Sequence, residues 1–308
     1  MRAVVFAYSN VGDRCLRVLR AQGVDVPLVV THRDRPGEMI WFDRVADTAA
    51  ELGLATEFAD DGTELALVDA VVQARPDVIF SFYFRALLPD AILRAATRGA
   101  YNMHGSLLPR YRGRAPTNWA VLHGESETGA TLHAMVAKAD AGEIVDQQTV
   151  PILPDDTALQ VFAKVTVAAE QVLWRSLPSI VDGTVTLRPN DIERGSYFGS
   201  RRPEDGRIEW AQPVARVYNL IRAVAPPYPG AFTELFGIPL VVAKARRAPF
   251  AAGEAARVPP GLHVFGDDIV GICGDGGRIA IHELRAGGER VSPATLRALL
   301  ARAGPSSP

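Results

Sequence analysis

The sequence predicts an α/β protein in which a parallel sheet covered by helices is followed by a smaller, β-rich part. Strand-like and helix-like stretches alternate from the first residues to His104, which is the order expected of such a sheet. The run at 77–84, DVIFSFYF, is apolar and aromatic, as buried strands are. Beyond residue 206, short strands recur between glycine turns, which is typical of a small, partly open barrel.

The predicted elements of the first part follow in a regular order. Asn10 is predicted to cap the first helix, because its side chain can accept hydrogen bonds from the free N–H groups of a first turn. Pro89 is predicted to open a later helix, since its φ suits the first helical position. Helices are predicted between strands at 3–7, 27–31, 55–58, 77–84 and 100–104.

The second half of the chain gives the domain boundaries. Asp155 and Asp156 are predicted to cap a long helix that Gly183 ends. Trp174 on this helix is predicted to pack in the core. The polar, turn-rich stretch 190–206 is predicted to be a linker. It separates a first domain at 1–189 from a carboxy-terminal domain at 207–308.

The composition is that of an ordinary globular protein. Of the 308 residues, 48% are hydrophobic and 22% charged, and the formal net charge is −2. No apolar run reaches the ~18 residues of a membrane helix, so no membrane span is predicted, and the charge does not favour a nucleic-acid partner. Two distant cysteines, Cys15 and Cys273, suit a reducing compartment. The sequence therefore predicts a cytoplasmic location.

Several common site motifs do not occur in the sequence. The first strand–helix turn, AYSNVGDR, lacks G-x-G-x-x-G, which argues against a dinucleotide-dependent dehydrogenase. The chain has no phosphate-binding G-x-x-x-x-G-K-S/T run, no CxxC pair, no H-E-x-x-H and no G-x-S-x-G elbow. With no ligand cluster, no metal site is predicted.

The stretch 101–140 brings together an amide, an imidazole and a carboxylate. Asn102 and His104 are two residues apart on a predicted strand, so their side chains share one face. His104 ends that strand, where ligands of parallel sheets bind. Asp140 precedes an Ala-Gly turn. In such a set, the histidine can move a proton, the aspartate can tune it and the asparagine can stabilise developing charge.

The sequence around these residues resembles the folate-dependent formyltransferases. The resemblance rests on NMHGSLLPRYRGRAP (102–116) and VAKADAGEIV (136–145) and extends over nearly the whole chain. It implies a Rossmann-like formyltransferase domain, a small OB-like barrel, and formyl transfer from 10-formyltetrahydrofolate to an amine. By position, Asn102 would stabilise the oxyanion, His104 would act as acid or base, and Asp140 would tune His104.

The resemblance also implies a set of folate contacts. At Ala86 the chain departs from the family pattern, which has a larger polar residue there, so folate affinity stays open. His133, on a predicted strand, is interpreted as structural. The matching cofactor-binding positions are Ala86, Leu87, Leu88, Arg114, Val136, Ala137, Lys138, Ala139 and Asp140.

The motifs FAYSNVG, THRDRPGE and AVAPPYPGAF are similar to those of formyltransferases that act on UDP-4-amino-4-deoxy-L-arabinose. This implies a UDP-amino sugar as acceptor and a role in lipid A modification. It also implies either a separate UDP-glucuronate decarboxylase as partner or a homo-oligomer.

Three alternatives to this function stay open. A methionyl-tRNA formyltransferase is disfavoured, because the loop at 34–43 is short, contains Glu38 and Asp43, and has no lysine to hold a polyanion. The other two are a non-catalytic folate or nucleotide binder and a 10-formyltetrahydrofolate hydrolase.

Overall fold

The computed structural model describes residues 1–34, 37, 39–59, 65–248 and 258–303, which fall into two compact units. The first unit comprises Met1–Pro116, Glu127–Pro151 and Phe162–Gly199, and the second comprises Thr117–Ser126, Ile152–Val161 and Ser200–Pro308. Each unit is therefore built from more than one chain segment, whereas the sequence predicts two contiguous domains and a linker. Those contiguous boundaries stay a prediction.

The chain contains these elements in the described ranges. The helices are α1 Ser9–Ala21, α2 Val45–Glu51, α3 Leu65–Ala74, α4 Asp90–Leu93, α5 Pro116–His123, α6 Ala158–Asp182, α7 Val214–Val224 and α8 Pro293–Ala303, with 3₁₀ turns at Ile192–Arg194 and Pro203–Gly206. The strands are β1 Arg2–Ala7, β2 Asp25–Thr31, β3 Thr56–Phe58, β4 Val78–Phe82, β5 Ala100–His104, β6 Arg112–Gly113, β7 Glu127–Ala134, β8 Ile144–Pro151, β9 Tyr197–Phe198, β10 Ala231–Leu235, β11 Ile238–Ala248, β12 Gly261–Phe265, β13 Asp268–Ile272, β14 Arg278–Ala286 and β15 Glu289–Arg290.

The first unit is built on a seven-stranded sheet with the order β3-β2-β1-β4-β5-β7-β8. The five strands from β3 to β5 are parallel to one another. Strand β7 pairs antiparallel with β5, and β8 pairs antiparallel with β7. In the second unit, β10, β11, β14, β13 and β12 form an antiparallel sheet, and β15 pairs with β14. The predicted fold class, a parallel α/β domain followed by a small barrel-like β domain, is confirmed.

The core of the first unit lies against the parallel strands. Side chains of β1, β2 and β4 are buried together with those of α3 and α4, because helices cover the sheet. The apolar runs recognised in the sequence are therefore core strands. The buried cluster contains Val4, Phe6, Leu28, Val30, Ala59, Leu67, Val71, Ile79, Ile92 and Ala100.

Three local predictions are wrong. Asn10 lies inside α1, which begins at Ser9, and its Oδ1 accepts the Asp43 N–H at 2.7 Å instead of capping the helix. Asp155 and Asp156 do not cap the long helix α6, because α6 begins after Thr157, whose N–H donates to Gln160 Oε1 at 2.9 Å. Trp174 on this helix is 53% exposed and does not belong to the core.

Within the ranges given above, none of the helices combines the length and the apolar character of a membrane-spanning segment.

Val71 and Val72 are adjacent on α3 but differ in environment, being 0% and 52% exposed. Val71→Ala is expected to lower the free energy of unfolding by about 2 kcal/mol, because two buried methyl groups leave a cavity. Val72→Ala, which makes the same change in helix propensity, is expected to change it by no more than about 0.5 kcal/mol. Urea unfolding measures both values, and equal losses in the two variants would contradict this assignment of the core.

Candidate active site

The end of β5 carries two of the predicted site residues on one face. His104 is buried at 6% exposure, and Asn102 is half-buried. The connection from β7 to β8 folds over this face and brings Asp140 beside both side chains. Asp140 Oδ1 lies 3.5 Å from Asn102 Nδ2 and 3.6 Å from His104 Nδ1.

The imidazole of His104 is oriented by a backbone carbonyl. Its Nε2 lies 2.8 Å from the Tyr111 carbonyl oxygen, and because that oxygen can only accept, Nε2 carries the hydrogen. The nitrogen that gains or loses a proton is therefore Nδ1, which faces Asp140. Protonation of His104 creates an imidazolium directly beside a carboxylate, an arrangement that suits a general acid and base.

Asp140 is positioned by hydrogen bonds to its backbone and its side chain. Its φ of +50° lies in the left-handed region, which aspartate tolerates better than most residues. Asn190 Nδ2 donates to the carbonyl oxygens of Asp140 and Gly142, at 3.0 Å each. A Cβ on Gly142 would overlap the Ala134 carbonyl, so only glycine allows this close turn.

The environment of the Asp140 carboxylate favours its ionised form. Burial, the largest single influence, opposes ionisation, but it is outweighed by the charge of His104 together with hydrogen bonds from His133 and from the Gly113 N–H. The Gly113 N–H donates to Asp140 Oδ2 at 2.8 Å. The pKa of Asp140 is consequently well below its usual range.

His133 is a member of this cluster that the sequence did not identify. Its Nε2 lies 3.1 Å from Asn102 Nδ2 and 3.5 Å from Asp140 Oδ1, while Nδ1 faces the Ala134 carbonyl oxygen at 2.8 Å. A neutral His133 ring therefore accepts a hydrogen bond from Asn102, and a protonated ring donates one to Asp140. It orients the Asn102 amide in the first state and supports the carboxylate in the second.

The loop that precedes α5 is held by the stretch that the sequence predicts as a linker. Strand β9 pairs in parallel with β6, matching Arg112 with Tyr197 and Gly113 with Phe198. The ring of Tyr111 stacks on Phe198 with a centroid separation of 5.4 Å. This pairing positions the Gly113 N–H and the Tyr111 carbonyl that contact Asp140 and His104.

The predicted folate-contacting residues lie in three surface segments. Leu87 and Val136 are 67% and 49% exposed, whereas Leu88 packs against the core cluster of the first unit. The side chain of Arg114 is exposed, and its backbone N–H donates to the Phe198 carbonyl oxygen at 2.9 Å. The remaining members are half-buried or exposed and comprise Ala86, Ala137, Lys138 and Ala139. Their role in binding stays a prediction.

The chemistry open to this site is proton transfer combined with stabilisation of negative charge. Asn102 contributes N–H donors, and the pair of His104 and Asp140 can hold a proton. Among the residues that the structure describes, no group of three or more His, Cys, Asp or Glu side chains is arranged to hold a metal ion. Fold and site together define a two-unit α/β protein whose site can move a proton and stabilise negative charge.

Two protein-family models match the chain. The model described as formyl transferase matches residues 1–177, and the model described as formyl transferase, C-terminal domain, matches residues 201–298. The chain belongs to the formyl transferase family, and it is a formyltransferase.

Solved structures with similar folds share 17–18% sequence identity with the chain. An N-formyltransferase from Helicobacter canadensis, in complex with folinic acid and dTDP-3-aminofucose, has a TM-score of 0.69, with 91% of this chain and 98% of that chain covered at 18% identity. WlaRD, a sugar 3N-formyl transferase solved with dTDP and 5-N-formyl-THF, has a TM-score of 0.71, with 94% of this chain and 98% of that chain covered at 18% identity. HypX from Aquifex aeolicus, in complex with tetrahydrofolic acid, has a TM-score of 0.63, with 99% of this chain and 48% of that chain covered at 17% identity. At these identities the structures establish a shared fold.

Asp140→Asn tests the ionised carboxylate. A carboxyl group whose folded pKa is lowered stabilises the protein above its unfolded pKa of about 3.9, and this contribution is lost as the pH falls further. Wild type is therefore expected to be more stable than Asp140→Asn at pH 5, and the difference is expected to shrink below about pH 4.

Urea unfolding across this pH range measures the difference for Asp140→Asn. Asp90→Asn, at an exposed surface position, is the control and should differ little from wild type at any of these pH values. A difference for Asp140→Asn that stays constant or grows towards low pH would contradict the assignment of a largely buried, ionised carboxylate.

Proposed function

We propose that this protein transfers the formyl group of 10-formyltetrahydrofolate to the amine of a nucleotide-linked amino sugar. The observation that carries the proposal is the convergence of Asn102, His104 and Asp140 at the end of β5 in a chain of the formyl transferase family. Folate use is supported by the folinic acid, 5-N-formyl-THF and tetrahydrofolic acid in the structures of the three similar proteins.

Two of the predicted contact segments leave apolar surface open to a folate. Leu87 and Val136 are large apolar side chains left exposed in two predicted contact segments, and a planar ring would cover them. When bound, the co-substrate supplies an activated formyl carbon and a nitrogen leaving group. Catalysis then requires a donor for the formyl oxygen and a group that carries a proton between the two nitrogens.

Asn102 and His104 meet these two needs. As the acceptor amine bonds to the formyl carbon, Asn102 donates an amide N–H to the oxygen on which charge develops, an effect worth about 3 kcal/mol in comparable sites. His104 Nδ1 takes the proton that the amine loses, and Asp140 stabilises the resulting imidazolium. His104 then returns the proton to the departing folate nitrogen as the carbon–nitrogen bond breaks. One C–N bond forms, one breaks, and a single proton moves.

The acceptor that we propose is UDP-4-amino-4-deoxy-L-arabinose, in lipid A modification. Two observations favour a nucleotide sugar. The segment 34–43 contains Asp34 and Asp43 and no lysine, which does not suit a tRNA; its residues 35, 36 and 38 lie outside those that the structure describes. The similar proteins include one solved with dTDP-3-aminofucose and one named a sugar 3N-formyl transferase. The proposal also includes a protein partner, which is either a separate UDP-glucuronate decarboxylase or further copies of this chain in a homo-oligomer.

The acceptor is tested by incubating the protein with 10-formyltetrahydrofolate and one amine at a time. The panel contains UDP-4-amino-4-deoxy-L-arabinose, dTDP-3-aminofucose and charged initiator tRNA, with a no-amine reaction to detect hydrolysis. Mass spectrometry is expected to find the formyl group on the UDP-sugar, with a gain of one carbonyl unit. Formylation of the tRNA alone, or release of formate without any amine, would overturn the proposal in favour of a tRNA formylase or a hydrolase.

His104→Ala is expected to lower kcat by at least about 100-fold, because the proton carrier is lost, and to leave the Kd for 5-formyltetrahydrofolate within about twofold. Steady-state kinetics and calorimetry give the two values. His282→Ala, the same substitution at an exposed position on β14, serves as the control and should retain wild-type turnover. A His104→Ala enzyme with near wild-type kcat would remove His104 from the mechanism.

A further inference from the structure

A cavity of about 220 Å³ lies in the first unit at the ends of β1, β2 and β3. The residues that line it are not used by the mechanism. Its aromatic lining consists of Tyr8, His32 and Phe58, and its charged lining consists of Asp34, Arg44 and Asp47. Tyr8 and His32 directly follow β1 and β2, and Phe58 ends β3, so this side of the cavity lies at the carboxyl ends of parallel strands, where ligands of such sheets bind. Arg44 and Asp47 come from the start of α2.

The aromatic wall of the cavity is held rigidly. His32 stacks on Phe84 with a centroid separation of 4.0 Å, and Tyr8 meets His32 edge-on at 5.4 Å. The Arg85 N–H donates to His32 Nε2 at 2.9 Å, which sets the orientation of the imidazole. Rings that are already fixed lose little freedom when a planar group packs against them, so the wall is suited to a flat heterocycle.

The charged lining provides both signs beside this wall. Arg44 Nε lies 2.6 Å from Asp34 Oδ2. Arg85 is not part of the lining, but its guanidinium lies 4.2 Å from the centroid of the Tyr8 ring. Carboxylates such as Asp34 and Asp47 accept hydrogen bonds from ribose hydroxyls or base N–H groups. Guanidinium groups pair with phosphates. The lining therefore matches the parts of a nucleotide.

The position of the cavity relates it to the site at His104. Strands β2, β1, β4 and β5 are neighbours in that order and parallel, so their carboxyl ends lie along one edge of the sheet. Three strand spacings separate β2 from β5, or roughly 14 Å. A group that reacts beside His104 and continues along this edge needs a linker of that length to reach the cavity, and a sugar followed by a diphosphate supplies one.

From this position and lining, we infer that the cavity holds the base and ribose of the nucleotide to which the acceptor sugar is attached. The inference deepens the proposed function and rests on it for the identity of the acceptor. In this arrangement the base packs against Phe58, and the nucleoside occupies the space beside Ala46.

Binding of UDP and of dTDP, measured by calorimetry without any sugar, tests the inference. Phe58→Ala removes one wall, and Ala46→Leu fills part of the space from the first turn of α2. Each is expected to weaken nucleotide binding by about fivefold or more, while the Kd for 5-formyltetrahydrofolate stays unchanged. Phe236→Ala, an exposed aromatic of the second unit, is the matched control and should bind UDP and dTDP like wild type. Circular dichroism confirms that each variant is folded.

The result that overturns the inference is the absence of UDP and dTDP binding to wild type, or equal binding by wild type and both variants. Formyl transfer is assayed in parallel to separate this failure from that of the proposed function. Nucleotide binding that depends on Phe58, without formylation of any nucleotide sugar, supports the cavity and refutes the acceptor. Formylation of a nucleotide sugar with an unchanged KM in both variants refutes the cavity alone.

Discussion

A largely buried carboxylate governs how this site is arranged. The Asp140 side chain is only 13% exposed, so its charge has to be compensated by nearby groups, and those groups come from three strands of the first unit. Asn102 and His104 come from β5, His133 from β7, and the Gly113 N–H from β6. Satisfying one charge therefore brings the amide and the two imidazoles into contact, and the site and its structural support form one hydrogen-bonded cluster.

The mixed sheet makes this cluster possible. Parallel neighbours on one side of β5 place His104 at an edge open to ligands, while antiparallel β7 on the other side pairs His133 directly with Asn102. Strand β8 is antiparallel to β7, whereas a parallel neighbour would have required a long crossover between β7 and β8. The short connection from β7 to β8 is free to fold back over β5, and Asn190 and Gly142 hold it there.

The sequence predicts what depends on local patterns and misses what depends on distant pairing. Strand–helix alternation gives the fold class, and the i, i+2 spacing of Asn102 and His104 puts both on one face of β5. His133 could not be connected to them, because its register against β5 is set by tertiary structure and leaves no mark in its own neighbourhood. Asn10 and Trp174 show a similar limit, since Asn10 hydrogen-bonds to a distant backbone N–H and helical periodicity alone gives no reason for an exposed tryptophan.

The parallel pairing of β6 with β9 bears on how the protein can be divided. Tyr197 and Phe198 lie beyond residue 189, where the sequence alone places the end of the first domain, and beyond residue 177, where the family model ends. A fragment cut at either point would keep Asn102, His104 and Asp140 but lose the strand that supports the backbone beside them. A piece that preserves this support extends at least to Phe198, so the stretch resembling a spacer is structurally part of the active centre.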